Sequence, residues 1–381
     1  MKPIKVMSVF GTRPEAIKMA PLVLELQKRP EFDSIVCVTA QHRQMLDGVL
    51  SCFDIKPDYD LDIMQSGQTL ADITSRVLNG LGGVLRGVLP DLVLVHGDTT
   101  TTFAGALSAF YERIPVGHVE AGLRTFDRYS PFPEEMNRSL VGRLAEYHFA
   151  PTAQNAQNLK NENIVQNVFV TGNTVIDAMK YTVGDGTFTN PVLKNLDFAS
   201  HRVITLTCHR RENYGEPMEN IFRAVKRIAE SFPDISIVYP VHLSPYVTET
   251  ARKYLGNVSN IHLIEPLDAM EMHRLISKSF FVMTDSGGIQ EEAPALGKPV
   301  LVLRRETERP EAVEAGTVEL AGVDENRIFE LAKSLLTDTS VYDRMAKATN
   351  PYGDGSACSR IAESILFGFG ASSRRPEDFR P

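Results

Sequence analysis

The sequence predicts an α/β protein built from two consecutive Rossmann-like, doubly wound domains. Short apolar segments rich in valine and isoleucine alternate with longer segments of helical period, and this alternation runs through the chain twice. Strands that are apolar throughout, each followed by a helix, are typical of a parallel sheet covered on both faces. A length of 381 residues is long for one core and sufficient for two domains.

The elements follow one another in a similar order in both halves. In the first half we predict strands at residues 4–10, 34–40, 91–97, 116–119 and 167–172, with helices at 14–29, 69–87 and 101–112. In the second half we predict strands at residues 202–208, 235–241, 261–265, 279–285 and 298–304, with helices at 217–231, 244–255 and from about 288. Two such domains facing each other would form a central cleft at the carboxyl ends of their strands, where sheets of this kind bind ligands.

The overall composition argues against several functional classes. A formal net charge of −8 and a pI near 5.7 argue against a nucleic-acid or membrane-surface partner. The four cysteines show no Cys-x-x-Cys spacing, which argues against a zinc site and a disulfide framework. The amino terminus lacks the pattern of a signal peptide, and no apolar run approaches the ~20 residues of a spanning helix. We therefore expect a cytoplasmic protein whose polar last residues, 371–381, are disordered.

Two strand-to-helix turns carry the features of an anion site. Ser286-Gly287-Gly288 follows an apolar strand, and glycines at a helix N-terminus let a phosphate approach the backbone N–H groups. One turn later, Glu291 or Glu292 could accept hydrogen bonds from the hydroxyls of a ribose. A glycine turn followed by a solvated helix face would explain the same residues without a ligand.

The second turn lies near the amino terminus, where the first strand ends at Gly11 and a helix begins at Pro14, and Arg13 and Lys18 flank this turn. An ion pair between Arg13 and Glu15 is the alternative without a ligand. Further candidate contacts to a diphosphate follow the last long strand, at Arg304, Arg305 and Arg309.

Four polar stretches after apolar runs carry reactive groups. Asp98 and Glu120 each follow a predicted strand directly, Glu134 and Glu135 begin a helix, and His209 follows the first strand of the second half. Each has a structural alternative: Asp98 as a helix N-cap, Glu120 as an ion-pair partner of Arg124, His209 as a hydrogen-bonded loop residue. Their common location at strand ends favours a functional interpretation of the set.

Metal ligation is not indicated. His42, His96, His118 and His242 include no pair at i, i+4 spacing with a third ligand nearby. Residues 58–62, Asp-Tyr-Asp-Leu-Asp, resemble a carboxylate cluster for a divalent ion but follow Lys-Pro in a loop, so we expect them to be solvated. No turn fits the Gly-x-Gly-x-x-Gly fingerprint, so the sequence predicts no nicotinamide cofactor.

The chain resembles the non-hydrolysing UDP-N-acetylglucosamine 2-epimerases from residue 4 to about 366. The motifs that carry the resemblance occur in the same order: FGTRPEAIKMAPLV, TAQHRQMLD, HGDTTTT, VEAGLRT, PEEMNR, TGNTVIDA, CHRREN, DSGGIQEEAPALGKPVLVLR, TERPEA and NPYGDGSACSRI. The resemblance implies a GT-B fold whose C-terminal helix crosses back to the first domain. It also implies domain limits of 1–171 with 364–381, and 172–363.

The implied reaction interconverts UDP-N-acetylglucosamine and UDP-N-acetylmannosamine without a cofactor or metal. Elimination of UDP would give a 2-acetamidoglucal, and UDP would add back after a proton returns to the opposite face of carbon 2. Asp98, Glu120 and Glu134 could supply the carboxylates, and His209 could stabilise the departing diphosphate. The assignment of proton removal and proton return among the carboxylates stays open.

Matched by motif, the resemblance implies contacts with the UDP-sugar from these residues: Arg13, Lys18, Asp98, Glu120, His209, Ser286, Gly287, Gly288, Glu292 and Arg309. It implies a second, activating substrate site lined by Gln41, His42, Gln44 and His242. It also implies a homodimer that supplies N-acetylmannosamine for surface polysaccharides. UDP-N-acetylglucosamine and UDP are the expected ligands.

Three other functions fit the fold. A glycosyltransferase would release UDP and pass the sugar to an acceptor, with one dominant base in place of a group of carboxylates. A hydrolysing epimerase would release free N-acetylmannosamine and is commonly fused to a kinase domain. A UDP-sugar sensor would be expected to lose one or more of the carboxylates, and all of them are present.

Overall fold

The computed structural model describes residues 2–41, 43–184, 187–307 and 309–381, without the side chains of Gln44 and Met45. The chain divides into two compact units. The first unit comprises Met1–Tyr181 and Tyr352–Arg380, and the second comprises Thr182–Pro351. Among the described residues, no helix combines the length and apolarity needed to span a membrane.

The first unit is built on a parallel sheet that has seven strands within the described residues. Its order is β3-β2-β1-β4-β5-β6-β7, so β1 and β4 lie at the centre. The central strands are buried on both faces, as their uninterrupted apolar sequences predict. The strands are β1 (Ile4–Phe10), β2 (Phe32–Val38), β3 (Tyr59–Asp60), β4 (Leu92–His96), β5 (Val116–Val119), β6 (Tyr147–Ala150) and β7 (Val168–Val170).

Helices connect these strands, and capping boxes built on threonine fix where three of them begin. Thr12, Thr69 and Thr152 each accept a hydrogen bond from the backbone of the first turn within a capping box. The helices are α1 (Arg13–Gln27), α2 (Arg43–Cys52), α3 (Leu70–Val88), α4 (Thr100–Tyr111), α5 (Glu134–Leu144), α6 (Ala153–Asn161) and α7 (Thr174–Thr182).

The second unit repeats the design with a parallel sheet of order β10-β9-β8-β11-β12-β13. Its strands are β8 (Arg202–Thr207), β9 (Ile235–Pro240), β10 (Ile261–Ile264), β11 (Phe281–Thr284), β12 (Val300–Val302) and β13 (Val318–Leu320). Its helices are α8 (Pro191–Asn195), α9 (Glu216–Ser231), α10 (Pro245–Leu255), α11 (Ala269–Lys278), α12 (Gly287–Ala295), α13 (Pro310–Glu314), α14 (Glu325–Thr337) and α15 (Thr339–Ala346).

The chain ends with helix α16 (Ala357–Gly368), which packs on α1 in the first unit. Its N-terminus is held by Asp177 of α7, whose carboxylate accepts hydrogen bonds from the backbone of Ala357 (3.1 Å) and Cys358 (3.0 Å). These contacts satisfy two N–H groups that the helix itself leaves without a partner.

The residues after α16 are ordered, so the prediction of a disordered tail was wrong. Phe379 is only 5% exposed, and its backbone N–H donates to the Val170 carbonyl at 2.7 Å. Asp378 accepts a hydrogen bond from Val170 N at 2.9 Å, and Arg375 donates to the Val168 carbonyl at 2.9 Å. The tail therefore binds the open edge of β7. Burial of Phe379 and hydrogen bonds to the edge strand β7 order this segment although its composition is polar.

The predicted strands and helices agree with the structure to within a few residues, but the sequence did not predict the helices α6, α7, α8, α11, α13, α14 and α15. The sequence missed the short strands β3, β6 and β13, because segments of two to four residues show no measurable alternation.

Candidate functional site

In both units, polar side chains lie at the carboxyl ends of the parallel strands. In the first unit they come from the turns after β1, β4 and β5 and from the start of α5. In the second unit they come from the turns after β8, β11 and β12. These are the positions at which doubly wound sheets bind ligands.

The turn after β1 is shaped by Gly11 and the buried carboxylate of Glu15. Glu15 accepts hydrogen bonds from the backbone of Gly11 (3.1 Å) and Thr12 (2.7 Å) and from the hydroxyls of Thr99 (2.7 Å) and Thr102 (3.0 Å). A Cβ on Gly11 would lie 1.8 Å from the Thr39 hydroxyl, so only glycine fits there. Glu15 therefore joins this turn to the start of α4.

Arg13 is the first residue of α1 and is half-buried. Among the described residues it makes no ion pair, because the Glu15 carboxylate is occupied by backbone and hydroxyl donors. The expected alternative of an Arg13–Glu15 pair was therefore wrong. Arg13 keeps its charge available at a helix N-terminus, as a diphosphate contact requires.

Asp98 follows β4 after Gly97 and is held from α5. The Arg138 guanidinium bonds to its carboxylate, and the Asn137 amide donates to its backbone carbonyl at 2.8 Å. Burial raises the pKa of Asp98 above its usual value, and the nearby charge of Arg138 lowers it. Thr99, and not Asp98, is the N-cap of α4.

Glu120 follows β5 in the left-handed region, with φ of 63°. Its carboxylate bonds to the Lys18 ammonium and accepts a hydrogen bond from Asn173 at 3.1 Å. The alternative pair with Arg124 was wrong, because Arg124 binds Glu162 through two hydrogen bonds of 2.6 and 3.0 Å. The left-handed backbone at Glu120 places its carboxylate beside Lys18. The sequence suggested both residues as site candidates, but in separate motifs.

The two glutamates at the start of α5 have different environments. Glu135 is buried and accepts hydrogen bonds from the backbone of Thr125 and Phe126, both at 3.0 Å. It also contacts Arg138 at 3.3 Å. Glu134 is half-buried, and among the described residues no hydrogen bond or ion pair fixes its carboxylate. Glu135 is therefore structural, while Glu134 is available for chemistry.

Two histidines behind these carboxylates are buried and neutral. Burial lowers the pKa of His96 to about 4 and that of His118 to about 3. A ring nitrogen of His118 lies 2.7 Å from the Gly97 carbonyl, and His96 lies 3.7 Å from Glu120. Among the described residues, no cluster of histidine, cysteine and carboxylate side chains could hold a metal ion.

In the second unit, the buried carboxylate of Asp285 organises the turn after β8. One of its oxygens accepts hydrogen bonds from the backbone of His209 and Arg210, both at 2.8 Å, and from the Asn213 amide at 3.1 Å. The sequence did not single out Asp285, which is the last residue of the predicted strand at 279–285. A charged residue directly after a buried strand was the available signal.

His209 is partly exposed and stacks on His242, with ring centroids 5.4 Å apart. Its Nδ1 lies 3.5 Å from the second oxygen of Asp285. Burial is the main cause that lowers the His209 pKa below its usual value, and Asp285 opposes this shift. His209 is thus oriented by a carboxylate and is available at the end of β8.

Helix α12 begins at Gly287, with Ser286 as its N-cap and no side chain occupying the cap. A Cβ on Gly287 would lie 3.8 Å from the guanidinium nitrogens of both Arg210 and Arg309. Arg309 also bonds to Glu291, so Glu291 is used within the protein. Backbone N–H groups and two guanidinium groups therefore surround the glycines, an arrangement that suits a phosphate.

Glu292, one turn into α12, lies 3.4 Å from Nε2 of the buried His273. The other ring nitrogen of His273 lies 2.8 Å from the Thr182 hydroxyl. The sequence left Glu291 and Glu292 as alternatives, and both have a partner in the structure, Arg309 for Glu291 and His273 for Glu292. Of the other arginines, Arg304 bonds to Glu212 at 2.6 Å and Arg305 is exposed.

The residues expected at a second substrate site are partly described. Gln41 accepts a hydrogen bond from Thr101 at 2.9 Å, and His242 stacks on His209 as given above. His42 and the side chain of Gln44 lie outside the described residues. Residues 58–62 are exposed apart from the half-buried Leu61, as expected of a solvated segment, and Arg43 pairs with Asp60 (2.7 Å) and Asp62 (2.9 Å) at the surface.

Known proteins resemble this chain in sequence and in structure. A family model described as UDP-N-acetylglucosamine 2-epimerase matches residues 24–366. The chain is similar to the UDP-N-acetylglucosamine 2-epimerase of Bacillus subtilis strain 168, with 60% identity over 380 residues, 100% of this chain and 99% of the relative.

Solved structures match equally completely. A crystal structure of a UDP-N-acetylglucosamine 2-epimerase matches with a TM-score of 0.93 and 58% identity, over 100% of both chains. The enzyme from Neisseria meningitidis bound to UDP-GlcNAc matches with a TM-score of 0.85 and 51% identity, over 95% of this chain and 100% of that one. These matches confirm the predicted α/β fold class with two doubly wound domains.

Proposed function

The chain belongs to the UDP-N-acetylglucosamine 2-epimerase family, and we propose that it inverts carbon 2 of UDP-N-acetylglucosamine by eliminating and re-adding UDP. The activity, an isomerisation that yields UDP-N-acetylmannosamine, is that of relatives matching over the full chain. The observation that carries the mechanism is the set of carboxylates in the first unit. Asp98, Glu120 and Glu134 all lie at its strand ends or at the start of α5, and none is used as a helix cap.

The chemistry requires more than one carboxylate. The carbon-2 proton is not next to a carbonyl, so direct removal would give an unstabilised carbanion. Cleavage of the bond between carbon 1 and the diphosphate oxygen sends that electron pair to UDP and makes the carbon-2 proton acidic. Its removal by a carboxylate forms the double bond of 2-acetamidoglucal. Addition of a proton to the opposite face and of UDP to carbon 1 completes the inversion.

In this mechanism the first unit supplies acid and base. Burial raises the pKa of Asp98 above its usual value, which favours a carboxylate that both takes up and returns a proton. Glu134 is not fixed by a partner among the described residues, so it can follow the substrate. Glu120 is paired with Lys18, which keeps a charge of each sign beside the sugar.

The second unit supplies most of the contacts that bind UDP. The Ser286-Gly287-Gly288 turn offers backbone N–H groups to the diphosphate, and Arg309 and His209 add side-chain donors near it. Glu292 accepts hydrogen bonds from the ribose hydroxyls. The N. meningitidis enzyme, whose structure matches 95% of this chain, was solved bound to UDP-GlcNAc, and this supports the choice of substrate.

Three further properties belong to the same proposal. The enzyme acts as a homodimer, for which the exposed side chains of Leu89, Phe110 and Tyr111 offer an apolar surface on the first unit. A second substrate molecule beside Gln41 and His242 activates it. The enzyme acts in the cytoplasm, and its product is used in the synthesis of a surface polysaccharide.

Proton NMR of UDP-N-acetylglucosamine with the protein in deuterium oxide tests the proposal. We expect UDP-N-acetylmannosamine that carries deuterium at carbon 2, because the departing proton exchanges with solvent. Accumulation of free N-acetylmannosamine and UDP would indicate a hydrolysing enzyme. Epimerisation without deuterium would contradict the exchange of the proton at a carboxylate, and an unchanged substrate would overturn the assignment.

A further inference from the structure

We propose that Arg138 is a positioning residue for the reaction. It fixes the direction of the Asp98 carboxylate and stabilises its ionised form. This proposal rests on the role given above to Asp98. No motif of the sequence assigned a function to Arg138, which occurs within PEEMNR beside the glutamates.

The guanidinium of Arg138 is held at both ends. It is buried, with 6% of the residue exposed, and its Nη2 bonds to Asp98. Its Nη1 lies 3.3 Å from Glu135, which is fixed in turn by the backbone of Thr125 and Phe126. A planar group with two anchored N–H directions leaves the Asp98 carboxylate one favourable orientation.

The backbone of Asp98 is held from the same turn of α5. The Asn137 amide donates to the Asp98 carbonyl at 2.8 Å, next to the guanidinium that binds the side chain. Glu134 begins this helix, three and four residues before these contacts, and so lies on the same helix face. One rigid helical turn therefore sets the position of Asp98 relative to Glu134.

The charges around Asp98 make Arg138 its principal counter-ion. Arg138 faces it from α5, Lys18 faces it from α1, and Glu120 faces it from the turn after β5. Burial and Glu120 raise the Asp98 pKa, whereas Arg138 and Lys18 lower it. Lys18 is bonded to Glu120, so its charge is shared. Without Arg138, burial and Glu120 would hold a larger fraction of Asp98 protonated at neutral pH.

The experiment compares the pH dependence of kcat/KM for the wild type, Arg138→Gln, Arg138→Lys and Arg143→Gln. Arg143→Gln is the matched control, because Arg143 is exposed on the same helix. For Arg138→Gln we expect the limb of the profile that reports Asp98 to move to higher pH by roughly one to two units. If Asp98 acts in its ionised form, the acid limb reports its pKa, and if it acts in its protonated form, the alkaline limb does. In both cases the limb moves to higher pH when the positive charge is lost.

Arg138→Lys separates charge from geometry. Its ammonium keeps the positive charge, so we expect the limb to stay near that of the wild type. It cannot present two N–H groups to Asp98 and Glu135 in one plane, so kcat should still fall about tenfold. A residue that acts only in folding would lower the melting temperature and leave the pH profile unchanged.

The outcomes distinguish this proposal from the proposed function. Carbon-2 deuterium incorporation by the wild type tests the reaction itself and does not depend on Arg138. If the wild type exchanges this proton and Arg138→Gln leaves the limb in place, the positioning role is overturned. Full kcat in Arg138→Lys would also overturn it. Should Arg138→Gln not fold, as judged by circular dichroism, the Arg138→Lys arm decides alone.

Discussion

Each of the two units contains a buried carboxylate that accepts hydrogen bonds from the backbone of the turn after its first strand. The residues around the two turns suit different steps of the reaction, proton transfer in the first unit and diphosphate binding in the second. In the first unit Glu15 binds the backbone of Gly11 and Thr12, and in the second Asp285 binds the backbone of His209 and Arg210. Both carboxylates are at most 2% exposed. A carboxylate that is occupied by backbone N–H groups holds the loop in place, and the side chains beyond it carry the function.

What lies beyond these turns differs in charge. The first unit presents the carboxylates of Asp98, Glu120 and Glu134 beside Arg13 and Lys18, and its carboxylates suit proton transfer at an uncharged sugar. The second presents glycines at the start of α12 beside Arg210 and Arg309, which suits a diphosphate. Variants that affect only catalysis or only nucleotide binding therefore test whether the units have separate roles.

The largest effect is expected from Asp98→Asn in the first unit. An amide cannot exchange a proton with carbon 2, so kcat should fall about a thousandfold. UDP binding should stay within about twofold of the wild type, because the proposed function places the diphosphate at the α12 N-terminus and not at Asp98. Coupled assays for kcat and isothermal titration with UDP measure the two quantities.

Glu31→Gln is the control for Asp98→Asn, since it removes an exposed carboxylate elsewhere in the first unit. It should change neither quantity. A loss of UDP affinity in Asp98→Asn as large as its loss of kcat would contradict separate roles for the two units.

A smaller effect, on UDP affinity and not on the chemical step, is expected from Gly287→Ala. The nearest atoms to the new methyl group among the described residues would be guanidinium nitrogens of Arg210 and Arg309 at 3.8 Å, an ordinary contact distance, so the fold should tolerate it. It would occupy the approach of a phosphate to the first N–H groups of α12. UDP affinity should fall about tenfold to a hundredfold by isothermal titration.

Gly83→Ala supplies the comparison for Gly287→Ala. Within the described part of the chain, a Cβ at Gly83 in α3 would have no atom within 4 Å, so UDP affinity should stay unchanged. Unaltered UDP binding in Gly287→Ala would remove the α12 N-terminus from the diphosphate site.

The sequence predicted the fold and the kinds of residue at the site because both follow from local pattern. Apolar strands followed by helices determine a parallel sheet, and residues just after those strands necessarily lie at one edge. That logic alone was enough to bring Asp98, Glu120 and His209 to strand ends.

Pattern could not decide between adjacent residues of the same type. Glu134 and Glu135 differ in burial, and Glu291 and Glu292 differ in partner, only because of which direction each faces in the folded helix. The partners themselves, Thr125 for Glu135 and Arg309 for Glu291, are set by loops whose course no periodicity predicts.

The smallest effect on the chemistry is expected from Phe379→Ala in the tail, which should alter the stability of the first unit alone. Phe379 is buried where the tail binds β7, and the Arg360 guanidinium lies over its ring at 5.3 Å. Loss of the ring should lower the free energy of unfolding by about 2 kcal/mol, less than for a central core position. The kcat and the UDP affinity should stay unchanged.

Urea denaturation followed by circular dichroism, with and without saturating UDP, locates this loss. If UDP binds the second unit, it should raise the unfolding midpoint of that unit in wild type and variant alike. Glu377→Ala is the matched control within the tail, because Glu377 is 87% exposed and its ion pair with Arg374 contributes little. A fall of kcat in Phe379→Ala, with Glu377→Ala unaffected, would show that the edge of β7 bears on the carboxylates as well as on folding.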